Sequence, residues 1–179
     1  MSRRRPPRRP VAPRPPLRGE EDEREWVDRA YADADLSNRV LRREQLHRCT
    51  FTRCRMTGFQ VPEGTLSDVR FTDCRVDLAA MRFASLERVA FEGCVLRELD
   101  LTGARLSDVF FEGCDLRLAE LGGARGSRLE LRGCEVEGLG GVDGLRGALV
   151  TWPDAVGLLG PLVAAAGLVV LEEGGEANV

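Results

Sequence analysis

Six thiols invite the first question about chemistry: Cys49, Cys54, Cys74, Cys94, Cys114 and Cys134. The last five stand twenty residues apart. Zinc sites draw ligands from short C-x2-C steps, and none occurs here. Cysteines at one long, fixed interval belong instead to a single column of a repeating structure, each facing the same way into its interior. Parallel Cβ vectors suit a disulfide poorly, and a thiol buried among apolar groups acts as a small, inert hydrophobe. His47 is the only histidine; it follows Leu46 and so points outward, without a nucleophile or ligand cluster beside it. No glycine-rich phosphate loop, P-loop or nucleophile elbow is present. The sequence therefore predicts no catalytic residue, no metal and no cofactor. What remains is a set of carboxylates that share a face: Glu92 and Glu112 are twenty apart, Asp68 and Asp108 are forty apart, and Asp73 and Glu130 border them. Their chemistry is electrostatic binding of a partner.

Such a face needs a scaffold with a period, and the chain has one. Stepping by five from Leu36 to Val136, twenty of twenty-one residues are large and apolar, Gly126 being the exception. Two residues before each, from Cys49 to Cys134, lies a second apolar column of mostly small residues, which holds all six cysteines. A period of five is neither helical nor that of a flat strand. In extended chain, residues two apart point to the same side, so each five-residue unit sends one large and one small side chain inward. The stronger repeat at twenty means that four units close one coil, and coils stack into a solenoid.

Ala34-Asp35-Leu36, Cys114-Asp115-Leu116 and Ala119-Glu120-Leu121 carry the pattern most plainly, and the columns together resemble the pentapeptide-repeat family. That resemblance implies an all-β solenoid, a right-handed quadrilateral β-helix; the handedness comes from the family. It also implies two functional readings. The leading one is a non-catalytic rod that binds or scaffolds a protein partner. The second is a DNA mimic that binds DNA gyrase, a type II topoisomerase, as quinolone-resistance members of the family do. On either reading the contact residues are Asp68, Asp73, Glu92, Asp108, Glu112 and Glu130. The interspersed arginines count against mimicry: Arg88 lies between Asp68 and Asp108, and residues 36–145 carry sixteen Arg against seventeen acids.

Charge is unevenly spread around a net of −3, and every one of the 26 basic residues is arginine. Residues 1–19 hold seven Arg and six Pro and predict a tail without fixed structure, able to touch nucleic acid weakly through salt-dependent contacts. Residues 20–45 form an acidic cap and irregular first repeats, with Trp26 covering the open end of the apolar column, whether as an imperfect coil or as a short helix. Arg39 and Glu44 fall in the small column, so regular repeats are expected from Leu46, giving a solenoid over 46–145. Residues 146–179 predict a helical cap. Pro153 suits its first turn, Pro161 should kink or split it, Gly167 should end it, and residues 168–171 suit a short last strand. Leu159, Leu162 and Val163 share an apolar face that either packs on the last coil or pairs two rods into a homodimer. No run is long and apolar enough to span a membrane. The expected location is cytoplasmic.

Overall fold

An extended chain cannot turn a right angle every five residues unless one residue in each five leaves the β region. The residues that do so set the architecture. A computed structural model describes residues 5–12 and 26–170, and in it every fifth residue from Asp28 to Gly138 has φ between about 49° and 68°. Sixteen of these corners are not glycine. Left-handed backbone costs an L-residue roughly 1 kcal/mol, so the corners persist only because packing on both sides imposes them. Each corner lies two residues after a large inward side chain, as Asp68 follows Leu66 and Asp73 follows Phe71.

Four flat sides per turn result, and each pairs in parallel with the same side one coil away. Two sides form a continuous bent sheet. Its strands are β1 (Ala30–Ala32), β2 (Gln45–His47), β3 (Thr50–Thr52), β4 (Thr65–Thr72), β5 (Ser85–Glu92), β6 (Arg105–Glu112), β7 (Arg125–Arg132) and β8 (Leu149–Val150). The register is i to i+20 throughout the repeats: Leu66 faces Leu86, Leu86 faces Leu106, and Phe71 faces Phe91. The corner residues Asp68, Arg88 and Asp108 drop out of the ladder, which bends each long strand around the edge. The other two sides are ladders of single bridges, Arg55↔Arg75↔Val95↔Asp115↔Glu135 and Gln60↔Ala80↔Asp100↔Glu120↔Gly140. Parallel stacking repeats one hydrogen-bond pattern indefinitely, as in Arg48 N–H to the Ser67 carbonyl at 3.0 Å and Gly93 N–H to the Glu112 carbonyl at 2.8 Å.

The interior is filled by the two columns. Phe51, Phe71, Phe91 and Phe111 stack face to face, with ring centroids 4.9, 4.7 and 5.1 Å apart and planes within 10°. Tyr31 extends the stack below Phe51 at 5.2 Å, and Trp26 tilts against Tyr31 at 5.5 Å. The thiols fill the small column and donate to carbonyls: Cys74 Sγ lies 3.4 Å from the Phe51 oxygen and Cys114 Sγ lies 3.4 Å from the Phe91 oxygen. All six cysteines are free, and only Cys134, nearest the end of the array, is half-exposed. Burial pushes the Cys49 and Cys54 thiols up.

Coil geometry starts well before Leu46. Val27 pairs with His47, β1 pairs with β3, and Asp28 is already a left-handed corner. Residues 26–35 are therefore coil rather than helix, while the acidic run at 20–25 lies outside the described residues. Arg39 and Glu44 do not break the register, because both are exposed at the open end, where an inward position still reaches water. The Arg39 guanidinium lies 5.8 Å over the Trp26 ring.

At the other end a 3-10 turn, Val142–Leu145, crosses the last coil. Gly144 permits it: a Cβ there would come within 2.4 Å of the Leu121 carbonyl oxygen. Helices α1 (Trp152–Gly157) and α2 (Leu159–Ala165) follow. Thr151 and Asp154 form a capping box, with proline inside the first turn as expected. The break falls at Leu158, three residues before Pro161. Proline cannot donate to the carbonyl four residues back, so the preceding turn yields first. Gly167, at φ 69°, ends α2 with a full pair of reverse bonds, its own N–H to Ala164 and that of Leu168 to Val163. Leu168, Val169 and Val170 are exposed and form no strand; among the described residues the last strand is β8.

Asp154 locks the cap to the rod. It is buried, accepts from the Cys134 and Gly133 amides at 2.8 and 3.1 Å, and bonds the Thr151 hydroxyl. Burial opposes its ionisation, but the Thr151 hydroxyl and the two amides outweigh it and hold the carboxyl below its ordinary value.

Two measurements check this account of the core and cap. Phe91→Ala should cost about 3–5 kcal/mol in urea unfolding, whereas Phe83→Ala, at an exposed corner, should cost less than about 1 kcal/mol; equal costs would contradict the inward column. Asp154→Ala should cost about 2 kcal/mol at pH 7. Because the folded carboxyl titrates below the unfolded value of about 3.9, its contribution is complete above that value and is lost as pH falls through the folded one. The gap between parent and variant should therefore close in acid.

Candidate functional site

The outer surface of a solenoid inherits the period of its core, so like positions stack into columns. The corner column above the bent sheet reads Asp28, Arg48, Asp68, Arg88, Asp108, Arg128, a strict alternation of sign. Each aspartate is clasped by the arginine one coil on. Arg88 binds Asp68 through both oxygens at 2.7 and 2.8 Å, Arg128 binds Asp108 likewise, and Arg48 pairs with Asp28. A planar guanidinium matches a carboxylate in this fork geometry. The Arg88 and Arg128 contacts hold the Asp68 and Asp108 carboxyls below the usual range, against a smaller opposing effect of burial.

Beside that corner run the outward residues of the sheet. One column holds Thr72, Glu92, Glu112 and Arg132, and the other holds Arg70, Ala90, Phe110 and Glu130. Four of the six predicted contact residues, Asp68, Glu92, Asp108 and Glu112, thus form one continuous strip. Asp73 stands exposed at the next corner, and Glu130 is buried and ion-paired with Arg132. These two flank the strip and take no part in the contacts described next.

The strip is occupied. Residues 5–12, where composition predicts a tail without fixed structure, lie along it. The Arg8 amide donates to Asp108 at 3.0 Å and the Val11 amide to Asp68 at 3.1 Å. Arg9 binds Glu92 at 2.6 Å, approaches Glu112 at 3.8 Å and lies 4.0 Å over the Phe110 ring. Disorder follows from composition only for a chain considered alone; here the acidic strip is the partner. Residues 1–4 and 13–19 of that tail lie outside the described residues.

Elsewhere the surface charges cancel in the same coil-to-coil fashion. Arg53 pairs with Asp33, Arg43 with Glu63, Arg82 with Asp100, and Asp115 with both Arg97 and Arg117. Arg117, then Arg97, holds the Asp115 carboxyl far below the ordinary range. His47 is half-buried and meets the Ser67 hydroxyl at 2.7 Å, one coil on, rather than standing free. Among the described residues no group of three or more His, Cys, Asp and Glu converges as metal ligands. A cleft of about 700 Å³ opens between the last coil and the cap, lined by Val136, Leu139, Gly157, Pro161 and Ala164 among others. It arises because two short helices do not cover the full cross-section of the coil. Leu159 and Leu162 are exposed, Leu162 bordering the turn at Val142 and Asp143, and Val163 is half-exposed.

The repeat is recognised outside this chain as well. A family model described as pentapeptide repeats matches residues 75–113, 84–123 and 94–138, with 8 copies of the unit. No curated protein matches the sequence. Among solved structures, a pentapeptide repeat protein, Rfr23, from the cyanobacterium Cyanothece 51142 is 18% identical, with 69% of this chain and 88% of that chain covered at a TM-score of 0.35. A trypsin-treated form of QnrB1, a plasmid-mediated fluoroquinolone resistance protein, is 15% identical over 80% of this chain and 99% of its own, at a TM-score of 0.24. HetL, a pentapeptide repeat protein involved in heterocyst differentiation regulation in Nostoc sp. strain PCC 7120, is 12% identical over 70% and 87%, at a TM-score of 0.21. With apolar columns at intervals of five, four stacked sides to each coil and the repeat model laid over its central coils, residues 75–138 are pentapeptide repeats.

Proposed function

We propose that the chain is a non-catalytic, protein-binding rod whose contact surface is the acidic strip of Asp68, Glu92, Asp108 and Glu112, flanked by Asp73 and Glu130. One observation carries this reading: a basic segment lies on the strip, bound through its backbone amides and arginine side chains together. The filled interior supports a mechanical rather than a catalytic role. A partner would present a basic surface and bind with strong salt dependence.

The topoisomerase reading uses the same strip, with DNA gyrase as the partner. Against it stand the arginine clasps on Asp68 and Asp108, since DNA presents uncompensated charge every few ångströms. The exposure of Leu159 and Leu162 supports pairing of two rods through their caps, in a cytoplasmic setting.

Sedimentation velocity on the full chain tests these statements together. The chain alone should sediment as a dimer that Leu159→Glu/Leu162→Glu converts to monomer. Purified gyrase should neither co-sediment with it at 150 mM salt nor lose supercoiling activity. A photo-crosslinker replacing exposed Glu112 should capture protein from cell extract, and Glu92→Arg should abolish the capture. Capture that is indifferent to Glu92→Arg and to salt would contradict the strip as the contact surface. Gyrase inhibition that Glu92→Arg relieves would put the second reading first.

A further inference from the structure

The contacts of residues 5–12 share a spacing. Asp68 and Asp108 accept from Val11 and Arg8, which are three residues apart. The two aspartates are two coils apart, because the intervening corner is Arg88. Coils stack about 4.8 Å apart, so the two acceptors are separated by about 9.6 Å. Proline-rich chain in the extended left-handed form rises about 3.1 Å per residue, or about 9.3 Å in three. The alternation of aspartate and arginine along the corner thus sets an acceptor spacing that one turn of such a chain matches. The burial of the segment has the same period: Pro7 and Pro10 are half-buried, while the other residues of 5–12 are exposed. Proline fixes φ and lacks an N–H, so a segment with prolines on the rod side offers its amides from the remaining positions. Arg9, between the two amide contacts, spans Glu92 and Glu112 over Phe110.

The clasps prepare the acceptors. A carboxylate has about four acceptor positions. Arg88 and Arg128 fix Asp68 and Asp108 in place through both carboxylate oxygens, and the incoming amide shares Oδ1 with the arginine Nε–H, using that oxygen's second acceptor position. The segment runs from the coil of Asp108 toward the coil of Asp68, that is, toward the N-terminal end of the rod. Thirteen residues separate Ala12 from Trp26, and the Asp68 corner stands only two coils above the Asp28 corner. That length closes the connection within one chain.

We propose that the strip is a groove for an extended Arg/Pro-rich segment, recognised by amides three residues apart, and that this chain's own residues 5–12 fill it in cis. A basic partner must displace this arm before it binds. The proposal deepens the reading of the strip as a contact surface and rests on it.

The test uses a fluorescent synthetic peptide of residues 1–18, titrated by anisotropy at 50 mM salt into two full-length proteins. One is the parent; the other is disabled in its arm by Arg9→Glu and Val11→Pro, substitutions that lie outside the rod's core. The disabled chain should bind the peptide at least tenfold more tightly than the parent, and a peptide of the same composition with its prolines moved off the three-residue spacing should bind at least tenfold more weakly. Glu92→Gln/Glu112→Gln in the disabled chain, both at outward positions, should lose the tight binding with an unchanged thermal melt. Equal binding by parent and disabled chain would overturn occupancy in cis. Equal binding of the two peptides would overturn the groove in favour of bulk charge attraction. Tight binding by the parent with the peptide copying its own arm would point to exchange of arms between chains and overturn occupancy in cis. If the peptide fails while the crosslinker at position 112 still captures protein, the contact surface stands and the ligand class falls.

Discussion

Everything in this molecule follows from the corner. A chain that bends into the left-handed region every fifth residue, from Asp28 to Gly138, can only close a four-sided coil, and coils of equal length can only stack in register. Register places each phenylalanine on the ring of its counterpart and most of the thiols beneath a backbone carbonyl one coil away. The same register fixes the surface, because no charge can be moved without leaving its column. The corners are strained one at a time and stabilised collectively, since the apolar residue two positions earlier is held by neighbours above and below.

That constraint turns a one-dimensional pattern into a binding surface. Alternating Asp and Arg on a single corner produces clasped carboxylates at every second coil, twice the spacing of a strand ladder. Such a ruler selects for a chain of matching rise rather than for a uniformly charged polymer. The clasps also explain why the rod is a weak imitation of nucleic acid although it carries a visible acidic strip. Its acids are positioned as hydrogen-bond acceptors, with their charge largely met from within the rod.

The core was legible because period five is rare and the inward residues from Leu46 to Leu121 are uniformly apolar. The corners were legible in principle: Gly, Asp or Asn, the residues that tolerate left-handed backbone, occupy thirteen of the twenty-three positions. Leu78, Phe83 and Leu118, which sit at exposed corners, obscured the signal. The first coils are harder to see in the sequence because Arg39 and Glu44 resemble core errors, yet polar residues are harmless at an open end. The strip is legible from the spacing of Glu92 and Glu112, but only half of what Arg88 does is. In sequence it reads as a charge that weakens the strip; in the folded chain it does so and also orients Asp68. The docking of residues 5–12 has no sequence signature of its own, since proline and arginine reveal a binding register only when the receptor spacing is known.

The most direct test of this account is amide hydrogen exchange of the full chain by NMR, read at Arg8 and Val11. If the corner column holds the arm through Asp108 and Asp68, both amides exchange at least tenfold more slowly than in the free peptide at low salt. They should return to the free-peptide rate in 1 M NaCl, while the core amides of Phe91 and Phe111 stay protected. Free-peptide exchange at Arg8 and Val11 at low salt, with the core intact, would contradict it.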